Sequence, residues 1–415
     1  MKHKGSATEG ATVGPAAAWR VLRMREFGFY FAGNALSASG TWFQNLAGAL
    51  LVYRLTHSAF LLGVLNFSQF IPILVLAPWA GSIADRVDRR RLLLFTQSVA
   101  VGLAAGLALL RWGGAATPAV VIGFALALGV ISAFSAPAQQ ALIVSLVPRA
   151  SVPTAVALNS MTFNLARAAG PALAAVTVTY LGIAAAFALN ALSFLVFVCA
   201  LLVVRPRVER RASAEESRLR ESLRLLWREP RLAAFLLIVT AVGFASDPVN
   251  TLAPAFAHAF GHRDTVAGAI IGVFGAGAVT AAFVVAGRVA ASRARMAATL
   301  LLLGTGIVAF SLSPWLPVGF VLLFAAGFGY LASNTAATTQ LQLGVDETQR
   351  GRIMALWSVG FLGLRPFASL LDGAIASAAG VRAAGVVLAL PALAGAALIG
   401  LVTQRRGRAT AVSGT

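Results

Sequence analysis

The chain has 415 residues, of which 59% are hydrophobic and only 11% charged, with a mean hydropathy of +0.83. These proportions exclude an ordinary soluble globular protein. A formal charge of +19 would suggest nucleic-acid binding in a soluble domain, so the placement of the charges decides what it means.

Residues 1–26 are polar and carry no apolar stretch, which predicts a cytoplasmic tail and not a cleavable signal peptide. Crossing a bilayer takes about 20 apolar residues. The chain offers twelve such runs: 27–53, 59–84, 92–110, 119–146, 154–181 and 183–204, then 232–257, 265–287, 297–313, 318–343, 353–378 and 384–402. The expected fold class is therefore an all-α membrane protein with twelve transmembrane helices arranged as two six-helix bundles related by pseudo-twofold symmetry. The only cysteine, Cys199, lies in the sixth run, so no intramolecular disulfide can form.

Between the second and third runs sits a dense charged knot of Gly81, Asp85, Arg86, Asp88, Arg89, Arg90 and Arg91. A short basic turn between two membrane-length segments reads as a cytoplasmic hairpin tip. With an even number of spans and both ends inside, 27 of the 33 Lys and Arg fall on that side; the remaining six are Arg54, Arg111, Arg263 and Arg382 in outer turns and Arg167 and Arg365 within spans. This bias expects an inner (plasma) membrane protein with both termini cytoplasmic, and makes nucleic acid an unnecessary partner. Anionic lipid headgroups are the expected neighbours of the arginines.

The longest polar stretch, 205–231, holds nine arginines and separates a bundle at 27–204 from one at 232–402, with a tail at 403–415. Ser213 and Glu216 have capping-box spacing there, and Leu219, Leu223, Leu226 and Trp227 fall at helical intervals before Pro230, so an amphipathic helix on the inner leaflet is expected. The halves repeat at an offset near 200 residues. Val147 to Arg149 matches Val345 to Glu347, a register that lays Arg167 on Arg365, and Gly81 to Arg89 matches a decayed copy from Gly287 to Arg295.

Polarity recurs with a period of three spans. The third, sixth, ninth and twelfth are poor in polar side chains, whereas the first carries Asn34, Ser37, Thr41, Gln44 and Asn45. The fourth carries Gln139 and Gln140, the seventh Thr240, Asp247, Asn250 and Thr251, and the tenth Asn334 and Thr338 among other polar residues. Polar groups are costly in hydrocarbon unless they face protein or water, so the first span of each triplet is expected to line a central cavity. That layout suits an alternating-access transporter.

These residues support a family resemblance along nearly the whole chain. The pattern Gly81, Asp85, Arg86, Arg89, Arg90 matches the loop signature of the major facilitator superfamily, with Asp88 where a glycine is usual. The chain resembles in particular the branch of enterobactin exporters and macrolide or multidrug efflux proteins. The resemblance implies a conformational latch at these residues, with Asp85 docking near the start of the eleventh helix and favouring the outward-facing state. A weaker similarity to the antiporter pattern of the fifth helix falls on Gly170 and Pro171, which also read as a kink or close-packing point.

Of the 14 acids only Asp247 and Asp372 lie well inside apolar spans, and the only bases that do are Arg167 and Arg365. Groups so placed are functional candidates by default. Asp247 and Asp372 are the candidates for proton coupling, with Asp247 exchanging protons with an outer vestibule under the opposing influences of burial and an approaching arginine. Asp247-Pro248 equally has the order of an N-cap and first turn, and Asp372, twenty residues after Arg352, is expected near the outer interface. Ser160, Asn164 and Arg167 share one helical face, as do Ser358, Arg365 and Asp372.

An enzyme is not expected. His3, His57, His258 and His262 form no metal-ligand cluster, and Lys2 and Lys4 are the only lysines, so no phosphate-binding Gly-Lys-Ser/Thr loop exists. The expected activity is proton-coupled export of a small amphipathic compound, drug, antibiotic or siderophore-like, by a monomer that needs no cofactor beyond the proton gradient. Uptake of a small metabolite by symport and a non-transporting sensor or scaffold are the alternatives.

Overall fold

Apolar runs that cannot satisfy their backbone polar groups in hydrocarbon must do so internally, and every regular element here does it by winding into a helix. The computed structural model describes residues 15–205, 229–285, 292–345, 353–354 and 356–413, apart from the side chains of Pro15, Pro78, Asp85, Val285 and 402–413. The first set of helices is α1 (Pro15–Leu22), α2 (Arg25–Thr56), α3 (Ala59–Arg86), α4 (Arg89–Trp112), α5 (Pro118–Leu146), α6 (Val152–Tyr180) and α7 (Gly182–Val203). The second is α8 (Pro230–Thr251), α9 (Ala253–Ala259), α10 (Ala267–Val285), α11 (Arg293–Leu312), α12 (Leu316–Leu343), α13 (Arg365–Ala379) and α14 (Val381–Ser413). Among the described residues ten helical stretches are long and apolar enough to cross a membrane. α2 and α6, 32 and 29 residues long, are not among those ten and carry many of the polar candidates.

Local chemistry fixes several ends. Leu61 N–H donates to Ser58 Oγ at the start of α3, Val120 N–H to Thr117 Oγ1 at the start of α5, and Arg91 N–H to Asp88 Oδ1 (2.8 Å) at the start of α4. Asp88, the departure from the usual glycine, is thus a helix N-cap. Arg90 reaches across to the other end of the first set, donating from Nε to the Leu201 carbonyl (2.7 Å) and from Nη2 to that of Leu202 (2.6 Å). These are the orphan carbonyls at the end of α7, where a cation is favoured.

The helices pair in a recurring pattern. In the first set α2 packs on α6 and α7, α3 on α5, and α4 on α5 and α7; in the second α8 packs on α12 and α14, α10 on α12, and α11 on α12 and α14. Between the sets, α3 packs along α13 and α6 along α10. Small residues make these approaches possible. Gly373 sits where a Cβ would stand 3.0 Å from the carbonyl oxygens of Ala59 and Phe60, and one at Gly275 would stand 2.8 Å from Ala168 Cα.

Both inter-set contacts concentrate toward the end of the molecule that carries Arg54 and Asp264, opposite the basic end of Arg86 and Arg89 to Arg91. At the former end Arg54 pairs with Asp264, with Nη2 3.0 Å from Oδ1, and the rings of Tyr53, His57 and His258 cluster with centroids 5.7 to 6.4 Å apart. At the basic end a Cβ on Gly81 would meet nothing within 4 Å. Among the described residues no helix approaches Gly81 closely. The Asp85 side chain and residues 346–352, its expected docking partner, lie outside the described residues, as do 286–291 and the amphipathic helix expected within 206–228.

Several boundaries differ from expectation. The 1–26 tail contains α1, whose Val21 is buried against Phe27, Tyr30, Leu93 and Phe197, so its described part packs on the bundle. The seventh span divides at Leu252, where Pro254 brings no N–H to continue the ladder, and not at Asp247. Pro248 lies inside α8, and the N-cap reading of Asp247 is not what the structure adopts. The eleventh span contains a π-helical segment, Val359–Gly363, before α13. That turn breaks the seven-residue stripe: Ser358 is exposed and bonds its own helix at the Met354 carbonyl, while Arg365 and Asp372 turn inward.

The tightest helix contact gives a test of the packing. A Cβ at Gly327 of α12 would overlap the Phe274 carbonyl oxygen of α10. Gly327→Val is expected to lower the apparent melting temperature of the purified protein, with a loss of about 1–3 kcal/mol or more from overpacking; an unchanged melt would refute the α10–α12 contact.

Candidate functional site

α8 passes straight through Pro248, so Asp247 and Thr251, four residues apart, stand on one face. α13 begins at Arg365 with Pro366 in its first turn, and Ser369 follows four residues later. The two faces meet. Arg365 Nε donates to Asp247 Oδ1 at 3.0 Å, Ser369 Oγ to Oδ2 at 2.6 Å and Thr251 Oγ1 to Oδ2 at 2.8 Å. Asp247 is 1% exposed and Arg365 only 12%, so this is a buried ion pair with hydroxyls filling the remaining lone pairs.

Asp372, one turn beyond Ser369, is fully buried, and its carboxyl group lies against that of Asp247. Neither of its oxygens receives a hydrogen bond. The sequence placed it near an outer interface by counting helical rise from Arg352. α13 ends at Ala379, about two turns beyond Asp372 and close to the expected end at 378, and the side chain is nonetheless fully buried by protein.

The other face of Arg365 meets the first set. Its guanidinium carbon lies 4.8 Å from the ring centroid of Phe70 and 5.9 Å from that of Trp42. Trp42, Asn45, Asn66, Phe70, Asn250 and Arg365 border one cavity. Arg167 crosses between the sets as well, donating from Nη1 to Tyr330 Oη at 2.6 Å and lying 4.8 Å over the same ring. Phe274 and Phe361 flank Tyr330 with centroids 5.3 and 6.5 Å away. On the second set Asn334 Oδ1, Thr338 Oγ1 and Trp357 Nε1 are buried atoms without a partner. Together these groups offer a cation, aromatic faces and unused donors and acceptors, as an amphipathic guest requires.

Other predicted positions serve the helices themselves. Asn34 Nδ2 donates to Asn159 Oδ1 (2.8 Å), Asn190 Nδ2 to Gln44 Oε1 (2.6 Å) and Gln69 Nε2 to Asn45 Oδ1 (2.8 Å), all within the first set. Thr41 and Asn164 bond carbonyls one turn back, at Ser37 and Ser160. Gln139 is half-buried and Gln140 exposed. Gly170 is a close-packing point, since a Cβ there would stand 2.9 Å from Trp42 Cβ, and α6 stays helical through Pro171. Of the latch residues, Arg89 donates to the Ala141 carbonyl (3.4 Å) and Arg90 caps α7, while Arg86 is exposed. Sequence reasoning missed Ser369 and Tyr330. Ser369 was findable from its spacing, four after Arg365 and three before Asp372; Tyr330 had no comparable signal.

Comparison with known proteins identifies the family and the fold. The family described as transmembrane secretion effector, within the major facilitator superfamily, matches residues 16–413. The staphyloferrin A transporter of Staphylococcus aureus is 36% identical over 149 residues, 36% of this chain, and that alignment spans only 38% of the relative's length. The multidrug efflux pump Tap of Mycobacterium tuberculosis is 24% identical over 372 residues, 86% of this chain and 88% of that protein. Among solved structures, a bacterial homolog of the human lysosomal transporter Spinster, inward-facing and unoccupied, superposes with a TM-score of 0.72 at 15% identity, covering 94% of this chain and 98% of that one. The nucleoside transporter NupG gives 0.66 at 14% identity, with 92% and 98% covered. Such identities speak to the fold alone.

Arg365→Gln strands the Asp247 carboxylate and is expected to destabilise the purified protein by about 3–5 kcal/mol. The double variant Asp247→Asn/Arg365→Gln is expected to melt above Arg365→Gln alone. Additive losses in the double variant would show that the pair is not energetically coupled.

Proposed function

Because this chain belongs to the transmembrane secretion effector family of the major facilitator superfamily, we propose that it is a secondary active exporter that moves a small amphipathic compound by alternating access, driven by protons. It is a transporter and not an enzyme. The observation that carries the proposal is a site to which both helix sets contribute: Trp42, Asn45 and Phe70 from the first, Asn250 and Arg365 from the second, with the Asp247–Asp372 carboxyl pair beside Arg365.

The recurring helix pairings support twelve spans in two six-helix bundles, 27–204 and 232–402, with α8 and α9 together as the seventh span. The Lys and Arg bias supports an inner-membrane protein with the basic end and both termini in the cytoplasm. In that orientation the contacts of α3 with α13, α6 with α10 and Arg54 with Asp264 close the outer side, which supports a state in which a compound enters from the cytoplasmic side. Rocking the bundles about the central site would exchange the two openings. A compound with an apolar body would lie against Trp42, Phe70 and Tyr330, and its polar groups would meet Asn250, Asn334, Thr338 and the guanidinium of Arg167.

The relatives' names, one an efflux pump and one a siderophore transporter, support outward movement of an organic compound. The carboxyl pair supports proton coupling. Loss or gain of one proton changes the net charge beside Arg365, and so changes how strongly that arginine is held away from the cavity. No cofactor besides the proton gradient is needed, one copy of the chain contains the whole site, and the arginines of the basic end would lie at anionic headgroups.

In inverted membrane vesicles energised to acidify their interior, the protein is expected to accumulate one or more members of a panel of fluorescent amphiphiles, and a protonophore should abolish the accumulation. Arg167→Ala should lower that flux about tenfold, equivalent to about 1.4 kcal/mol, without loss of protein from the membrane. Accumulation confined to right-side-out vesicles would replace export with uptake, and none in either orientation would reject transport of this class.

A further inference from the structure

Asp372 is the buried ionisable group for which the site supplies nothing. It is 0% exposed, it accepts no hydrogen bond, and the charged group acting on it is Asp247. Asp247 has the opposite surroundings, with a guanidinium and two hydroxyls donating to its oxygens. Two ionised carboxylates side by side in an apolar bundle repel, and here a single counter-charge is present, bonded to one of them. The donors and the counter-charge all converge on Asp247. A proton on Asp372 removes the repulsion and supplies an O–H that can donate to Asp247.

Among the described residues α8 brings Asp247 to this position, and Tyr53, His57 and His258 line a cavity with Ala376 and Ser377, one turn beyond it. α3 offers none between Ala59 and Ala84, α14 offers none between Ala383 and Leu401, and Arg382 is committed to the carbonyls of Ser311 and Ser313.

α3 packs along the part of α13 that holds Asp372, and this contact is made backbone to backbone. A Cβ at Gly63 would overlap the Ser369 carbonyl oxygen and stand 3.1 Å from Gly373 Cα; one at Gly373, the residue after Asp372, would stand 3.0 Å from two carbonyl oxygens of α3. The two helices belong to different sets, so this contact parts whenever the sets separate at the Arg54–Asp264 end. Apart, they would open Asp372 to water from that end.

We propose that Asp372 is the residue that takes up and releases the coupling proton, that Asp247 is its ion-paired neighbour, and that the glycine contact of α3 with α13 at Gly63 and Gly373 is the gate that admits water to Asp372 from the outer side. Uptake converts the Asp372 carboxylate and a hydronium ion into a carboxyl group and water, and release reverses it. The proposal deepens the proton-driven reading and rests on it. It differs from the expectation drawn from the sequence, in which Asp247 was the exchanging group.

The test needs no transported compound. Dicyclohexylcarbodiimide is apolar and adds to protonated carboxyl groups, leaving a stable N-acylurea that peptide mass spectrometry can locate. With the full chain in liposomes, the adduct is expected on Asp372 and not on Asp247, and Asp372→Asn should remove it without a new adduct at Asp247. Gly63→Ala, the smallest wedge in the gate, should speed the modification severalfold. An adduct on Asp247, or on neither residue, would overturn the division of roles, and an unchanged rate in Gly63→Ala would overturn the gate. Should Asp372→Asn fail to accumulate, the site of the adduct in the unaltered protein still decides. A protein modified at Asp372 that moves nothing in vesicles would fail the export reading alone, whereas one that exports but is modified at Asp247 would fail this inference alone.

Discussion

An ionised carboxylate in the apolar interior of a helix bundle persists only where donors and a counter-charge converge on it. At Asp247 they do, and much of the local architecture is the means. α8 must run unbroken through Pro248 for Asp247 and Thr251 to share a face, so its break is deferred to Leu252. α13 must begin at Arg365, after the π-helical turn, for the guanidinium and Ser369 to reach the same oxygens. Each helix contributes a pair of residues four apart, and the helical period alone aligns each pair.

The polar ties are distributed unevenly. Within the first set Gln44, Asn45 and Asn34 are each bonded to a neighbouring helix, and within the second Ser333 bonds Thr299 and Thr240 bonds the Gly360 carbonyl. Between the sets the described polar contacts are few: Arg167 with Tyr330 and Arg54 with Asp264. The latter pair has an arginine 40% exposed, and such surface pairs contribute about 0–1 kcal/mol. Most of the closure is glycine and alanine packing, which is lost once the helices separate. Each set is thus bound tightly to itself and loosely to the other, as rigid-body rocking requires.

The fold was legible in the sequence because its governing signal, apolar length, is crude and strong. The central arginines and acids were legible for a related reason: four charged residues in spans of this composition stand out. What the sequence concealed was their division of labour. Depth counted at a constant rise put Asp372 near the outer end of its span, and such a count carries no information about the neighbouring helices that bury the side chain there. Asp247-Pro248 resembled a helix start, and only the packed neighbours show that its oxygens go to other side chains and not to a backbone amide. Ser369 and Tyr330 belong to residue types common in membrane helices, where hydroxyls usually bond their own backbone as Thr41 and Ser132 do. A hydroxyl that reaches another helix has no distinguishing mark in the chain.

The charged knot after α3 also separates into parts with different duties. Asp88 and Arg90 are committed to helix ends, one capping α4 and the other holding the last carbonyls of α7, and both contacts stay inside the first set. Among the described residues Gly81 has no such commitment. It lies 18 residues after Gly63 on the same helix, about 27 Å along its axis, and Gly63 is in backbone contact with α13. A continuous helix that carries one engaged glycine near one end and one free glycine near the other behaves as a lever: tilting it to release Gly63 swings Gly81 toward the opposite set. The proton gate beside Asp372 and the latch at the basic end would then be two ends of one element. Their openings alternate because the same helix cannot close on both at once.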